Sequence, residues 1–592
     1  RKSYIYLSIV LLLAAACAKQ GAPSGGPKDT TPPEVIKTEP QNGATNFTGK
    51  TITISFDEFV TLDKIQEKFM MSPPVIKKPD IAVKGKNIVI TIDEELRDST
   101  TYTLYFQDAI RDLNESNILE NYQFRFSTGR YIDSLSLAGE VFQAFNLEVP
   151  ERMLIMLHSN LSDTAPLKLI PDYISMSDQQ GYFTINNLHE GRYRLFALED
   201  MNSNRKYEPG DESFAFADAI VEISPMNNYS PLVADSILHV EEADSTHRHA
   251  HLREPDYLLY SSASVKTKYY LAATARRQAK LLEYFFSVPL DTMKFTFEAA
   301  GLTQDDYFTE ITRNRDTIRL WLRDSAVYNQ PLIETIITYP FTNTGDSVVY
   351  KTDTIPMRFI QPRATRGNIA LKGLAMQVNA TRTGIPPGRD IMIVPESPLR
   401  SADFSLFSIT LAGDTTGLTM PFEPEFDTLV PRQIRIKQTL EPGKEYILTM
   451  LPGAMTSIYG ETNDTASYRF PVRLSSTYGT LNTMLKEYEG SVIVQLLDGR
   501  ESLIMETQAV SPGKASFSFI ENGTYRLKVI YDTDGNGKWT PGDFLKGRQP
   551  EMVSYFPKVL EIKSNWDLEE DWDISIPGQK DQGLRTKQPQ KR

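Results

Sequence analysis

Oxygen-bearing side chains at regular spacing are the first chemistry this sequence offers. In YDTDGNGKWTPGD, Tyr531 to Asp543, the residues Asp532, Asp534 and Asn536 alternate, Gly537 and Lys538 follow, and Asp543 closes the stretch. A hard cation such as Ca²⁺ takes about six to eight oxygens, and a loop of this kind supplies side-chain oxygens on alternate residues, a main-chain carbonyl at Lys538 and a final carboxylate. Gly537 permits the sharp turn. The last position holds Asp rather than Glu, and the preceding GTYRLKVI alternates like a strand, so helix-opening sensor behaviour is not expected. The simpler reading is that Asp, Asn and Gly make a tight connection between strands.

The loop has an earlier copy. GRYRLFALEDMNSNRKYEPGDE, Gly191 to Glu212, keeps Asp200, Asn202, Asn204 and Asp211 at the same offsets, but Arg205 replaces the glycine and fewer residues are charged. Arginine enters the left-handed region only at a cost, so the turn is expected to survive with weaker cation affinity.

Other groupings are weaker. His247, His249 and His251 alternate, so in an extended segment their imidazoles would share one side, as a zinc or copper site requires. They fall in the polar run SILHVEEADSTHRHAHLREP, which reads as a solvated linker, and no histidine follows His251. G-x-S-x-G, H-E-x-x-H and P-loop motifs are absent. A carboxylate pair for glycoside hydrolysis is set by fold and not by spacing, so it cannot be read here. In NWDLEEDWDI, the residues Trp566, Leu568, Glu570 and Trp572 fall on one strand face, where packing accounts for both tryptophans.

The positioning elements are strands. KTITISFDEFV, KNIVITID, TYTLYFQDAI and NYQFRFSTG alternate apolar and polar residues between turns, the grammar of sandwiches or barrels, and LDKIQEKFM carries one of the few helical patterns. At 592 residues the chain holds several domains. Its 63 basic and 76 acidic residues give a net charge of −13, which excludes a general nucleic-acid binder.

The start, RKSYIYLSIVLLLAAACAKQ, has a basic end, an apolar run too short to span a bilayer comfortably, and alanines before Cys17, the sole cysteine. It resembles the bacterial lipoprotein signal, which implies that Cys17 is diacylated, with palmitate as an expected acyl group, and becomes the new N-terminus. AKQGAPSGGPKDTTPP is then a flexible tether.

Two sandwich families are suggested. PPEVIKTEPQNGATNFTGKTITISFDEFV, NIVITIDEELRDSTTYTLYFQDAIRDLNES and YQFRFSTG resemble the bacterial Ig-like domains found at the start of many Bacteroidetes lipoproteins and in S-layer proteins. Arg432 to Val472 can be laid beside Lys86 to Thr128 with strand, turn and strand in step, and Asp316 to Phe359 is a fainter echo. The order LAGEVF, GYFTI, GRYRL and acidic loop recurs as EGSVIVQLLD, ASFSF, GTYRL and acidic loop, which looks like the transthyretin-like or carboxypeptidase-regulatory sandwich.

The expectation is an all-β chain of tandem sandwiches. It comprises a signal at 1–17, a tether at 18–33, Ig-like units at 34–129, 257–361 and 366–474, transthyretin-like units at 133–235 and 476–576, a linker at 236–256 and a basic tail at 577–592. Missing catalytic motifs and the lipid signal lead to a non-enzymatic outer-membrane lipoprotein that docks or scaffolds envelope proteins. Resemblance to Bacteroidetes lipoproteins of this architecture implies, as one partner, the outer-membrane β-barrel assembly machinery. The alternative is a surface glycan-binding or adhesive protein. No cofactor is expected beyond Ca²⁺ in the acidic loops, and the face of the membrane stays open.

Overall fold

The computed structural model describes residues 29–225, 255–264, 268–290, 293–299, 302–343, 347–360, 373–427, 430 and 432–578. Cys17 and the histidine triplet lie outside them. The chain is nearly all β, with 50% strand and 5% helix. Its residues divide into two compact units.

In the first unit, Thr51–Phe56 (TITISF) buries every second residue, as alternation requires of a half-buried strand. It lies between Val35–Glu39 and Asn87–Thr91, with Asp80–Lys84 outermost, while Thr101–Tyr105 joins Gln123–Ser127 and Met70–Ser72 in the facing sheet. Ile52, Ile54, Ile88, Ile90, Leu104, Phe124 and Phe126 meet between them as the core. The helical pattern in LDKIQEKFM becomes a single turn, Ile65–Lys68.

The next strands of this unit centre on Leu154–His158, which pairs with both Tyr173–Met176 and Gly191–Leu198. Polar contacts fix these strands to the Ig-like sandwich: the Thr103 hydroxyl donates to Asn187 Oδ1 at 3.1 Å, and the Ile174 amide to the Ser72 hydroxyl at 3.0 Å.

His158 is buried edge-on to Phe196, and neither ring nitrogen has a hydrogen-bond partner. Burial lowers its pKa to about 4, against a smaller opposing pull from Asp172. The unfolded chain therefore takes up this proton near pH 6.5 and the folded chain does not, so stability is lost as pH falls from about 6.5 toward 4. The loss approaches about 3 kcal/mol at about 1.4 kcal/mol per unit. Urea unfolding of the wild type and His158→Leu between pH 7 and 4 checks this: the variant's slope against pH is flatter by that amount.

Among the described residues, each of three sandwiches in the second unit has its own core. Leu281–Phe286 and Thr317–Leu322 lie at the middle of one sheet, facing Thr296–Ala299, Leu332–Thr342 and Val348–Arg358. In the following sandwich, Ile391–Pro395 and Ile434–Gln438 face Phe407–Leu411, Glu445–Met450 and Ala466–Pro471. A hydrogen bond of the first sandwich has a counterpart here. The Tyr446 hydroxyl accepts from the Glu441 amide at 3.0 Å, and Tyr102 accepts from Arg97, also five residues upstream, at 2.8 Å.

The last sandwich is built on a long hairpin, Gly479–Leu497 with Leu503–Ile520. Gly523–Tyr531 pairs antiparallel to the first of these strands, and Asp567–Asp573 runs parallel to it. Trp572 is buried in the core with Leu481, Leu527 and Phe556, and Leu568 packs against that core. Trp566 departs from the one-face expectation. It precedes the strand, is 47% exposed, and carries the Lys563 ammonium 5.0 Å from its ring centre.

The sequence repeat is visible in matched contacts. The Tyr193 hydroxyl donates to the His189 carbonyl at 3.0 Å, and the Tyr525 hydroxyl to the Glu521 carbonyl at 2.9 Å, each four residues back. Gly191–Leu198 pairs with Val221–Ile223 as Gly523–Tyr531 pairs with Leu560–Ile562.

Candidate functional site

The acidic loop leaves the end of Gly523–Tyr531. Asp532 is buried and accepts from the amides of Asn536 and Gly537, both at 3.0 Å. Asn536 Oδ1 accepts from the Lys538 amide at 2.7 Å. The chain turns through the left-handed region at Gly535 and Gly537, and a Cβ at Gly537 would stand 2.3 Å from Gln508 Nε2. Asp534 is exposed, and the Thr540 hydroxyl, donating at 2.8 Å, holds its carboxyl below the usual range.

The earlier loop repeats this wiring. Asp200 accepts from the amides of Asn204 and Arg205 at 3.1 and 3.0 Å, and Asn204 Oδ1 from Lys206 at 2.7 Å. Arg205 takes the left-handed conformation of the missing glycine, with φ 59°, and its guanidinium donates to the Val75 carbonyl at 2.9 Å. Burial lowers the Arg205 pKa. Asn202 accepts from the Asn204 amide, whereas the main-chain amide of Asp211 donates to the Glu208 carbonyl within its own turn.

A residue that loop spacing does not reveal completes the later cluster. Glu551 is buried and accepts from the Thr533 amide at 2.7 Å and the Thr540 amide at 2.9 Å. Its carboxylate lies with those of Asp532 and Asp534, all within 4.8 Å of one another. Asp543 is used differently: it caps the short helix Phe544–Lys546 and pairs with Lys546 at 3.0 Å. Three carboxylates gathered in this way suit a hard divalent cation.

The loop also presents apolar groups to upstream segments of the same unit. Phe544 lies 5.2 Å, ring centre to ring centre, from both Phe214 and Phe216, and Tyr207 stacks on Phe214 at 4.0 Å. Trp539 meets Phe145 edge-on at 5.0 Å, and the Gly542 amide donates to the Ser262 hydroxyl at 2.9 Å. Leu147 enters a small core with Ile493, Ile530 and Val553. Beside it the buried Lys528 ammonium sits 3.2 Å from the Phe145 ring centre, a cation–π contact.

A second feature is an edge. Leu503–Ile520 spans 18 residues and is the terminal strand of its sheet. Leu503, Ile504 and Val510 are exposed, Val510 at 69%.

The third feature is a charged joint between neighbouring sandwiches of the second unit. Buried Glu310 accepts from Arg432 Nε and Trp321 Nε1, both at 2.8 Å, and from Arg319 at 3.2 Å. The Arg432 guanidinium stands 5.2 Å from the Trp321 ring centre. Nearby, Lys280 pairs with Glu461 at 2.7 Å and covers the Tyr459 ring.

Residues 29–128 match the family of bacterial Ig-like domains. No curated protein matches the chain. Among solved structures it is similar to the bacterial S-layer protein rSbsC(31-844), at 10% identity over 85% of this chain and 64% of that one, with a TM-score of 0.13. It thus spans less than two thirds of that protein. The Bacillus anthracis TIE protein is 8% identical over 97% of this chain and 79% of its own, also with a TM-score of 0.13. The Escherichia coli alpha-2-macroglobulin fragment spanning domains MG0-NIE-MG1 is 11% identical over 50% and 97%, with a TM-score of 0.17. At these scores the structural likenesses carry no argument about function.

Proposed function

We propose that the chain is a non-enzymatic lipoprotein, anchored in the outer membrane through Cys17, whose sandwiches dock and hold other envelope proteins. The observation that carries this reading is the edge strand Leu503–Ile520. Among the described residues no strand pairs with the outer side of this long edge, so an extended partner segment can pair with its main chain while its side chains cover Ile504 and Val510. The Glu310–Arg432 joint supports it, since a scaffold has to keep a fixed spacing between neighbouring modules. Components of the barrel-assembly machinery are one class of partner, by the resemblance noted for the sequence. Affinity purification of the lipidated chain from its native envelope, in gentle detergent, tests the reading. A stoichiometric envelope protein is expected. Recovery of the chain alone, with binding on a glycan array, would instead establish the adhesive alternative.

Calcium in this reading is a structural pin. Asp532, Asp534, Glu551 and Asn536 hold the ion, and the loop that contacts Phe145, Ser262 and Phe214 is stiffened. At a hundredfold excess over Kd, Ca²⁺ stabilises the bound fold by about 2.7 kcal/mol. The expected result is a rise in melting temperature with Ca²⁺ that vanishes in Glu551→Gln and persists in Asp543→Asn. A Ca²⁺ response lost in Asp543→Asn and retained in Glu551→Gln would return the final ligand to the loop's own last position.

A further inference from the structure

The edge strand Leu503–Ile520 is divided by a bulge. Residues 503–511 pair with 490–497, the register shifts between Leu485 and Gly490, and Pro512, which has no amide hydrogen, stands at the break. Among the described residues no strand pairs with the outer side of 503–511, and every residue from 432 to 578 is described. Proteins guard such edges with lysine, proline, a bulge or a covering segment, because an open apolar edge templates pairing with other chains. Between 503 and 511 there is neither lysine nor proline, and Glu506 is the one charged residue.

Register fixes which way each side chain points. Met505, Thr507 and Ala509 stand opposite Leu496, Val494 and Val492, all core residues, so they face inward. Ile504, Glu506, Gln508 and Val510 alternate with them and are exposed, Ile504 at 48% and Val510 at 69%. The stretch is its own complement when a second copy runs antiparallel to it about a two-fold axis at Thr507. Ile504 of one copy then stands opposite Val510 of the other, Met505 opposite Ala509, and Glu506 opposite Gln508, whose side-chain amide can donate to the carboxylate. Glu506 already accepts from Gln495 Nε2 at 2.7 Å, and a carboxylate has room for more than one donor. Moving the axis to Glu506 sets two carboxylates against each other, and moving it to Gln508 sets Ile504 against Pro512. An axis between residues sets inward side chains against outward ones. Thr507 is the centre that avoids all three conflicts.

We propose that, while no partner segment is docked, this edge is capped by the same edge of a second copy of the chain, antiparallel about Thr507, and that docking displaces the cap. A two-fold pairing closes on itself, so it stops at a dimer and covers Ile504 and Val510 without starting a fibre. The displacement rests on the docking reading; the pairing does not. The full lipidated chain, purified in gentle detergent away from other envelope proteins, provides the test. Cysteines are joined by a short bis-maleimide, and links are mapped by mass spectrometry to peptides containing residues 503–511. Thr507→Cys should link to itself. Ile504→Cys alone should link at least about tenfold less, because at about 3.4 Å per residue it lies roughly 20 Å from its own counterpart, whereas Ile504→Cys mixed with Val510→Cys should link as well as Thr507→Cys. Val510→Lys, at an exposed position, should cut the Thr507→Cys link about tenfold, and Ile504→Glu added to the same chain should restore it through opposite charges in both pairs. Thr507→Cys that stays monomeric, or Ile504→Cys that links to itself as readily, would overturn the cap, and envelope adducts at Ile504 in that case would leave the docking standing. In the native envelope the Thr507→Cys link should fall as the partner adduct forms. A link undiminished beside that adduct would overturn the displacement, and a link with no partner adduct at all would uphold the dimer and remove the docking.

Discussion

Replacing Arg432 with alanine is expected to lower the unfolding free energy of the sandwich pair it joins by about 3 kcal/mol, since a buried carboxylate then loses one of its two cationic partners. Glu310 is 3% exposed, and its oxygens accept from Arg432, Trp321 and Arg319. Without Arg432 it keeps two donors but loses the guanidinium that comes from the neighbouring sandwich. The loss should be specific to charge. In the double variant Glu310→Gln, Arg432→Met, the carboxylate is gone and the apolar stem still covers Trp321, so most of the stability returns. Urea unfolding of the single and double variants reads the difference. Equal losses in Arg432→Ala and the double variant would show that packing, and not the ion pair, holds the joint.

Phe544→Ala should cost a comparable or larger amount, about 3 to 5 kcal/mol, as for other large aromatic truncations in cores. The side chain is 5% exposed and lies among Phe214, Phe216 and Tyr207. The position of the damage is the informative part. Hydrogen exchange should rise in Tyr207–Phe216 and in the loop Asp532–Phe544, while the hairpin core around Leu481, Val494 and Leu527 keeps its protection. A uniform rise across the whole sandwich would mean that the upstream segments are integral to its folding and not docked upon it.

The alternation in TITISF and NIVIT made the Ig-like strands legible, because one face of each is buried and the other is solvated. The matched acidic loops were legible for the same local reason: Asx side chains bond their own backbone a few residues on, so the pattern is written in one short segment. Glu551 was not legible, since it reaches the cluster from 19 residues beyond Asp532 and only the tertiary fold brings it there. Asp543 stood at the expected spacing, but the backbone turned into a short capped helix that uses its carboxylate. Trp566 misled for a related reason: the strand begins only at Asp567, so the alternation could not extend back to it. The Phe145, Phe214 and Phe216 contacts were hidden too, because the segments that meet lie more than 300 residues apart.

The docking claim is tested most directly at the edge strand. A photo-crosslinking amino acid placed at Ile504 or Val510 in the full lipidated chain, and irradiated in the native envelope, should give one adduct of defined mass with an envelope protein. The same residue at exposed Lys84, on the Ig-like sandwich, should not give that adduct. Failure of both edge positions to crosslink above the Lys84 control would contradict the account.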